Sequence, residues 1–385
     1  MACLVLAVGY AWHASVRRAT LFEGPALPEV TSLDRRVALS EDLLAASGVT
    51  ASSSESAPPE DLGAGPDGDS TESQDVVADE RTGLDPPSEP IFLIRHTGLD
   101  ASYGVMSVIR LDNSGEARRG TPLRCDRLDF VNERGVCLAT DRFYTTHSIM
   151  VFDRSFEPLH TLPLNGVPSR VRLSRDGRRA AVTVFVSGHS YADEGFSTET
   201  SLIDTYTGER LVRNLEEFEV RQDGARLRAV DLNFWGVTFT DDHDRFLATL
   251  GTGGRVYLVE GSVSDRRVTV LREGVECPAL SPDQTRVAFK RRISTGTDFA
   301  WRLFVLDLRT LVETPLAETR HVDDQVAWLD DDVILYALPD PSAPTPRVTD
   351  IWQVPADGGG ESELFLRHAF SPAVLHADGQ DDPGH

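Results

Sequence analysis

The stretch ALSPDQTRVAF, residues 279–289, decides the fold of this chain. Apolar and β-branched residues at both of its ends favour β-strands. Between them lies SPDQT, whose Pro and Asp supply the backbone geometry and side-chain hydrogen bonds that a tight turn needs. The stretch therefore predicts a β-hairpin with a polar turn.

The same hairpin pattern recurs along the chain. A strand, an Asp-rich turn and a second strand can be read at residues 128–138, 171–183, 237–248, 279–289 and 326–335. A second type of strand, followed by a polar turn and another strand, occurs at residues 106–112, 148–153, 200–204, 255–260, 301–307 and 350–355. The missing sixth hairpin can be formed by the two ends of the repeat region, residues 369–375 and 90–95.

Repeats of this kind predict a propeller. Units of about forty to fifty residues with four strands each are the pattern of a β-propeller blade. We therefore expect an all-β fold, a six-bladed β-propeller over residues 89–376 that is closed by a carboxy-terminal strand. The unit between Gly177 and Asp241 is longer than the others.

A family resemblance rests on two of these units. ALSPDQTRVAF followed by LFVLDL (303–308), and LSRDGRRAAV (173–182), resemble the SPDG-type, WD40-like repeat of TolB-like propellers. The resemblance implies an extracytoplasmic or cell-envelope setting and protein binding across one face of the propeller. The α/β domain that precedes the propeller in the periplasmic TolB proteins has no counterpart here, and an acidic segment stands in its place.

The residues before the propeller form two segments. Residues 1–20 begin with about twelve apolar residues, fewer than the roughly twenty that a membrane span needs. We expect a truncated signal or anchor, with a frayed or core-packed cytoplasmic segment as the alternative. Residues 21–88 carry fifteen acidic residues against three arginines and are rich in Ser, Pro and Gly. This composition predicts a disordered acidic linker, and residues 377–385 a disordered tail.

The net charge of the chain limits the classes of partner that it can bind. The net charge of −23 argues against nucleic acid, and against anionic lipid surfaces except through residues 1–20. We expect a monomer without cofactors that binds a protein or glycan in the cell envelope. The cysteines do not have zinc-site spacing. Cys125 and Cys137 could form a disulfide if the protein is exported, and otherwise would be two buried thiols.

A candidate binding site follows from propeller geometry, which places the residues near the start of each innermost strand at the mouth of the central channel. These residues combine several polar groups with one aromatic ring, as binding pockets do. They are Arg124, Asp126, Ser169, Arg170, Asn233, Trp235, Cys277, Asp323, Asp324 and Gln325. Long loops are expected on the same face at residues 187–199, 291–299 and 339–349.

Catalysis is the alternative interpretation, as a lyase or hydrolase that uses the channel mouth. The stretch Gly188–Ala192 (GHSYA) approaches the elbow that carries a nucleophilic serine, but no helical pattern follows it, and Ala192 replaces the second glycine. The acidic clusters 241–244 and 330–332 lack calcium-loop spacing and are interpreted as turns. We therefore expect neither catalytic nor metal-binding residues, and predict a binding module that is not an enzyme.

Overall fold

The computed structural model describes residues 90–112, 115–141, 143–186, 197–242, 244–295 and 298–375. These residues form 26 β-strands and one short 3-10 helix. The predicted apolar segment, acidic linker and tail lie outside them, as does the Gly188–Ala192 stretch. In the ranges that are described, no helix is long and apolar enough to cross a membrane.

The first and last strands meet in one sheet, blade 1. From the channel outward it contains β26 (Ala369–Leu375), β1 (Ile91–His96), β2 (Val105–Asp112) and β3 (Gly115–Arg124). β26 and β1 are antiparallel, with Leu375 opposite Ile91 and Ala369 opposite His96. The predicted closure by a carboxy-terminal strand is confirmed.

Four blades are built from four consecutive strands, with the first at the channel and the fourth at the rim. Blade 2 contains β4 (Arg127–Val131), β5 (Arg134–Thr140), β6 (His147–Phe152) and β7 (Pro158–Leu164). Blade 3 contains β8 (Val167–Leu173), β9 (Arg179–Val186), β10 (Ser197–Asp204) and β11 (Arg210–Val212). Blade 5 contains β18 (Glu276–Leu280), β19 (Arg286–Thr295), β20 (Asp298–Asp307) and β21 (Glu313–Pro315). Blade 6 contains β22 (Ala327–Trp328), β23 (Val333–Pro339), β24 (Thr349–Pro355) and β25 (Glu363–Leu366).

Blade 4 has two additional strands at its rim. Its regular strands are β14 (Asn233–Phe239), β15 (Arg245–Thr252), β16 (Arg255–Ser262) and β17 (Arg267–Glu273). The chain before it forms the 3-10 helix (Leu215–Glu217) and the hairpin β12 (Glu219–Gln222) and β13 (Ala225–Arg226). β12 pairs in parallel with β17. The long repeat predicted here therefore extends the rim of the next blade.

The hydrophobic core lies between the blades. One cluster joins Val136 of blade 2 to Val182 of blade 3. Another joins Phe92 of blade 1 to Leu335 and Ile351 of blade 6, so apolar packing also crosses the junction that closes the ring. Because each blade is covered on both faces, its central strands are apolar at consecutive positions, and strict alternation is not seen.

The hairpin turns confirm the chemistry of the deciding stretch. The Ser281 hydroxyl donates to Asp283 Oδ1 (2.5 Å) and accepts from the Arg286 N–H (3.0 Å). Ser174 and Asp176 make the same contacts in blade 3. Each Ser–Asp pair closes its turn internally, so the turn forms from local sequence alone.

One loop prediction is wrong. Residues 291–299 were expected to form a long loop, but β19 continues to Thr295 and β20 begins at Asp298. Arg292 pairs with Trp301 and Ser294 with Phe299 in this extended hairpin. Its β-branched and aromatic residues continue the ladder beyond the body of the blade. The loop after Pro339 is present, with β24 beginning at Thr349.

Candidate functional site

The six innermost strands pack around the central channel in the order β26, β4, β8, β14, β18, β22. They all begin on one side of the propeller, here called the mouth face. The β1–β2 loop lies on this face, because the Cys125 N–H at the start of blade 2 donates to the Gly104 carbonyl (3.0 Å). The β5–β6 loop lies there as well, since Thr140 donates to Asp126.

Three innermost strands are bent close to the mouth. Each has a residue with positive φ: Gly236 in β14 (63°), Cys277 in β18 (52°) and Ser371 in β26 (52°). The strand register shifts at each position, as in a β-bulge. Side chains near the mouth therefore depart from simple strand alternation.

Asp323 belongs to a charged cluster in blade 5. Its carboxylate accepts a hydrogen bond from Lys290 Nζ, which also lies 3.2 Å from Glu276 Oε1. The Lys290 side chain is only 5% exposed and its ammonium group sits 4.5 Å from the ring centre of Trp301. Burial alone would raise the pKa of Asp323, but the charges of Lys290 and Arg170 lower it to about 2. Asp323 is therefore held as an anion.

The same cluster is poorly suited to nucleophilic chemistry. Burial alone would lower the pKa of Lys290, but the acidic groups Cys277, Asp323 and Glu276 raise it above its usual value. Burial raises the pKa of the Cys277 thiol. An activated lysine or cysteine needs a lowered pKa instead. Both groups are thus protonated at neutral pH.

Asp324 forms a second ion pair, inside the channel. Arg127 Nη1 donates to Asp324 Oδ1 at 2.9 Å, and both side chains are largely buried. The Arg127 guanidinium also lies 4.2 Å from the ring centre of Phe370. Burial lowers the pKa of Arg127 to about 10. The negative charge of Asp324 acts in the opposite direction, but the positive charges of Arg170 and Arg95 offset part of its effect. Arg127 was not predicted as a site residue.

The predicted amides have backbone partners. Gln325 Nε2 donates to the carbonyls of Val237 and Pro278, both at 3.1 Å, and so joins three blades. Asn233 Oδ1 accepts from the Thr198 N–H at 2.9 Å and connects blades 3 and 4. These hydrogen bonds hold neighbouring blades together at the mouth.

The remaining predicted residues are distributed around the mouth. Arg124 is exposed and donates to the Tyr103 carbonyl. Asp126 Oδ1 lies 3.5 Å from Arg95 Nη2. Trp235 is half-buried, and its indole ring packs against Gly251; a Cβ added to Gly251 would lie 2.8 Å from the ring.

Arg170 lies in the channel wall. Its Nη1 donates to the Ser169 carbonyl at 2.9 Å. The charges of Asp323 and Asp324 both act on Arg170, so the structure brings these three predicted residues together.

Cys125 and Cys137 are joined in a disulfide, with Cα atoms 5.3 Å apart. Cys125 follows β3 and Cys137 lies in β5, so the bond connects the rim strand of blade 1 to blade 2. Of the two alternatives for these cysteines, the disulfide is the one found. Cys277 is a buried thiol.

The sequence did not reveal an apolar patch on the mouth face. Large apolar side chains are exposed on blades 1 to 3 and at the start of blade 4; this apolar mouth patch consists of Leu99, Phe143, Tyr144, Val167, Phe185 and Val230. Phe143 and Tyr144 are 68% and 54% exposed. Val167 and Phe185 are direct partners in the pairing of β8 with β9. The other exposed large apolar side chains of the described residues lie on rim strands or on the opposite face; they are Leu159, Tyr206, Val312 and Leu364. The mouth face thus carries most of the exposed apolar residues, and exposed apolar surface is a feature of interaction sites.

The loop that carries the two aromatic residues is held by Asp141. Its carboxylate accepts from the Thr145 N–H and hydroxyl, both at 2.7 Å, and from the Thr146 hydroxyl at 3.2 Å. Hydrogen bonds from Thr145 and Thr146 lower the pKa of Asp141 to about 2. Tyr144 adopts a positive φ of 57°, an uncommon conformation for a bulky residue. The loop is thus internally fixed with its aromatic residues exposed.

A second aromatic group lies on blade 5. Trp301 makes edge contacts with Phe299 and His321, each with ring centres 5.1 Å apart. The Arg292 guanidinium lies 3.9 Å from the ring centre of Phe299. Because Lys290 touches both Trp301 and Asp323, this group borders the charged cluster.

These features define a closed six-bladed β-propeller, as the repeats predicted, with an ion-paired channel mouth and an apolar patch beside it. No protein-family model and no curated protein matches the sequence.

Solved structures similar to this chain include two TolB proteins. TolB from Acinetobacter baumannii is 17% identical, with 76% of this chain and 68% of that chain covered and a TM-score of 0.49. The putative TolB from Agrobacterium tumefaciens is 10% identical, with coverage of 72% and 88% and a TM-score of 0.45. A chain of a nidogen/laminin complex is 12% identical, with coverage of 74% and 98% and a TM-score of 0.48. At these identities the similarity concerns the fold alone.

Proposed function

We propose that this chain is a noncatalytic module that binds a protein partner through the mouth face of its propeller. The observation that carries the proposal is the display of Phe143 and Tyr144 on a loop fixed by Asp141. Burying two ordered aromatic side chains in an interface removes much apolar surface from contact with water. It costs little conformational entropy, because the loop is already formed.

The rest of the apolar mouth patch extends this surface. Val167 and Phe185 stand on adjacent strands of blade 3, and Leu99 lies on the β1–β2 loop of blade 1. A partner that covers Phe143 and Tyr144 can therefore contact three successive blades. A surface of this extent suits a folded protein with a complementary apolar face.

The charged mouth favours binding over catalysis. Lys290 and Asp323 neutralise each other, Asp324 is paired with Arg127, and burial raises the pKa of the Cys277 thiol. An enzyme that uses the mouth would need a general base or an activated nucleophile there. The lyase or hydrolase interpretation therefore receives no support from these groups.

We further propose an extracytoplasmic location, and the disulfide supports it. Bonds such as Cys125–Cys137 form and persist in oxidising compartments and are rare in the cytosol.

The experiment is quantitative capture from a cell-envelope extract with the wild-type protein and with the double variant Phe143→Ser/Tyr144→Ser. At least one protein should be retained by the wild type and lost at least roughly tenfold with the double variant, since truncating an aromatic hot-spot residue at the centre of an interface costs about 2 kcal/mol or more. Val312→Ser is the matched control, because Val312 is 59% exposed in the β20–β21 turn on the opposite face. Equal retention by all three proteins, at unchanged Tm, would exclude the patch as the binding surface.

A glycan is the second candidate ligand, and the Phe299, Trp301 and His321 group favours it. Aromatic rings beside charged and polar groups suit a polar ligand with apolar faces. Binding of envelope polysaccharide fragments that is abolished by Trp301→Ala and retained by Phe143→Ser/Tyr144→Ser would support this candidate. Binding unaffected by Trp301→Ala would reject it.

A further inference from the structure

A small cavity of about 20 Å³ lies in the central channel. Its polar lining consists of Arg127, Arg170, Arg172, Gln325 and Ser371. These residues come from blades 2, 3, 6 and 1, so the cavity lies where the inner strands of several blades converge. Three arginines contribute to its lining, and among the lining residues none is acidic.

Two of these guanidinium groups have an unmet hydrogen-bond donor. The Nε atoms of Arg170 and Arg172 are buried, and no acceptor for them exists in the part of the chain that is described. Arg170 uses Nη1 for the Ser169 carbonyl, and Arg172 uses Nη2 for the Val326 carbonyl, both at 2.9 Å. Leaving a buried charged donor without an acceptor is costly, so each such group calls for a partner.

The nearby carboxylates are already committed to other donors. Asp324 accepts from Arg127, and Asp323 accepts from Lys290. Asp129 accepts from the N–H groups of Phe130 (3.0 Å) and Leu173 (2.7 Å). These carboxylates therefore do not satisfy the Nε atoms of Arg170 and Arg172.

We propose that this cavity binds one small inorganic anion of the size and charge of chloride. An anion accepts hydrogen bonds from several directions and brings no hydrogen that needs an acceptor. It also offsets the repulsion among Arg127, Arg170 and Arg95, which contributes to the lowered pKa of Arg127. Such an ion would accept hydrogen bonds from the unmet Nε donors of both arginines.

The size of the cavity fits a small ligand. One water-sized particle needs about 10–15 Å³ of accessible volume, so about 20 Å³ suits a single small ion. The ion would lie between strands of blades 2 and 3 and close to Ser371 of β26. It would therefore hold the channel wall together beside the strand that closes the ring.

The experiment measures the Tm of the full chain in sodium chloride, sodium bromide and sodium gluconate at one ionic strength. We expect the Tm to be several degrees higher in chloride and bromide, and to rise with halide concentration, because a ligand of the native state alone stabilises it by mass action. Crystals grown in bromide should show an anomalous peak within hydrogen-bonding distance of Arg170 and Arg172.

Two variants complete the test. Arg170→Gln should lose the dependence on halide, while Arg255→Gln should retain it, because Arg255 is exposed and paired with Glu273 on blade 4. If Arg170→Gln does not fold, the bromide peak in the wild type decides. Equal Tm values in the three salts, or bromide found only outside the channel, would overturn the proposal and leave the cavity to water.

Discussion

Arg118 donates a hydrogen bond from Nη1 to Nδ1 of His96 at 2.7 Å. Since an arginine can only donate, Nδ1 must be the unprotonated nitrogen of the ring. Nε2, which lies 2.9 Å from Asp100 Oδ2, therefore carries the proton and donates to that carboxylate. The contacts fix one tautomer of a buried histidine in β1, beside the strand that closes the propeller.

Removing the Arg118 guanidinium should weaken the closure. Arg118 also donates to the carbonyls of Arg367 (2.8 Å) and His368 (3.2 Å), just before β26. We expect Arg118→Met to lower the free energy of unfolding by about 1–3 kcal/mol, because these carbonyls and His96 lose a charged donor. Urea denaturation measures the loss. Arg110→Met, at an exposed position of the neighbouring strand β2, should change it much less, and equal effects would assign Arg118 no special role.

A buried carboxylate between blades 5 and 6 predicts a dependence on pH. Glu318 is 1% exposed, and its carboxylate accepts hydrogen bonds from the Arg320 guanidinium (Nε and Nη2), from the Arg320 backbone N–H and from the Tyr336 hydroxyl. Burial alone would raise the pKa of Glu318, but Arg320 and Tyr336 lower it from 4.5 to about 2. Because its pKa is lower in the native state, the Glu318 carboxylate stabilises the fold at pH values above its unfolded pKa of 4.5. This contribution is lost as the pH falls from 4.5 toward 2.

We therefore expect Glu318→Gln to be destabilised by about 1–3 kcal/mol at neutral pH. The difference from wild type should shrink as the pH falls below 4.5, because the wild-type carboxylate is then protonated more readily in the unfolded chain than in the native one. Denaturation at several pH values, with Glu361→Gln as an exposed control, measures this. A constant difference across that range would contradict the assignment.

The bulge in β14 requires a glycine. Gly236 has φ of 63°, and a Cβ there would lie 2.7 Å from the Cα of Cys277 in the next blade. We expect Gly236→Ala to cost about 2–4 kcal/mol, from backbone strain together with overpacking. Gly253→Ala isolates the first contribution, because its φ is 58° and nothing lies within 4 Å of the added Cβ. Similar losses of unfolding free energy for both variants would mean that Cys277 shifts at little cost to make room for the added Cβ.

The disulfide should stabilise the start of the ring. It closes a loop with a sequence separation of 12, for which the loss of unfolded-state entropy predicts about 3 kcal/mol. The double variant Cys125→Ala/Cys137→Ala should show this loss in urea denaturation. Addition of a reductant should lower the stability of the wild type and leave the double variant unchanged. A wild type that is indifferent to reductant would contradict the prediction.

The fold could be predicted from sequence because its signals are local. Ser281 and Asp283 close their own turn, and the same turn chemistry recurs in blade 3 with Ser174 and Asp176. Once the hairpins were recognised, the closure by residues 369–375 followed from counting strands. The hairpin β12–β13 was missed because its pairing with β17 depends on residues some fifty positions away.

The site could be predicted only in part. Strand order predicted Arg170, Asp323 and Asp324 near the channel mouth, and the structure brings these three residues close to one another. Their partners Lys290 and Arg127 were missed, because a buried ion pair depends on distant residues that meet only in the folded chain. Phe143 and Tyr144 were missed because the sequence of a short loop does not state which side chains are exposed.

The pairing of Ile91 with Leu375 also sets an orientation. β26 starts at the mouth face and runs away from it, so its last residue and the first residue of its antiparallel neighbour β1 both lie on the far side of the disk. Any attachment through the residues before Ile91 would therefore join the propeller at the face opposite the mouth face. Phe143 and Tyr144 would then lie on the face opposite the attachment point and would be open to a partner from that side.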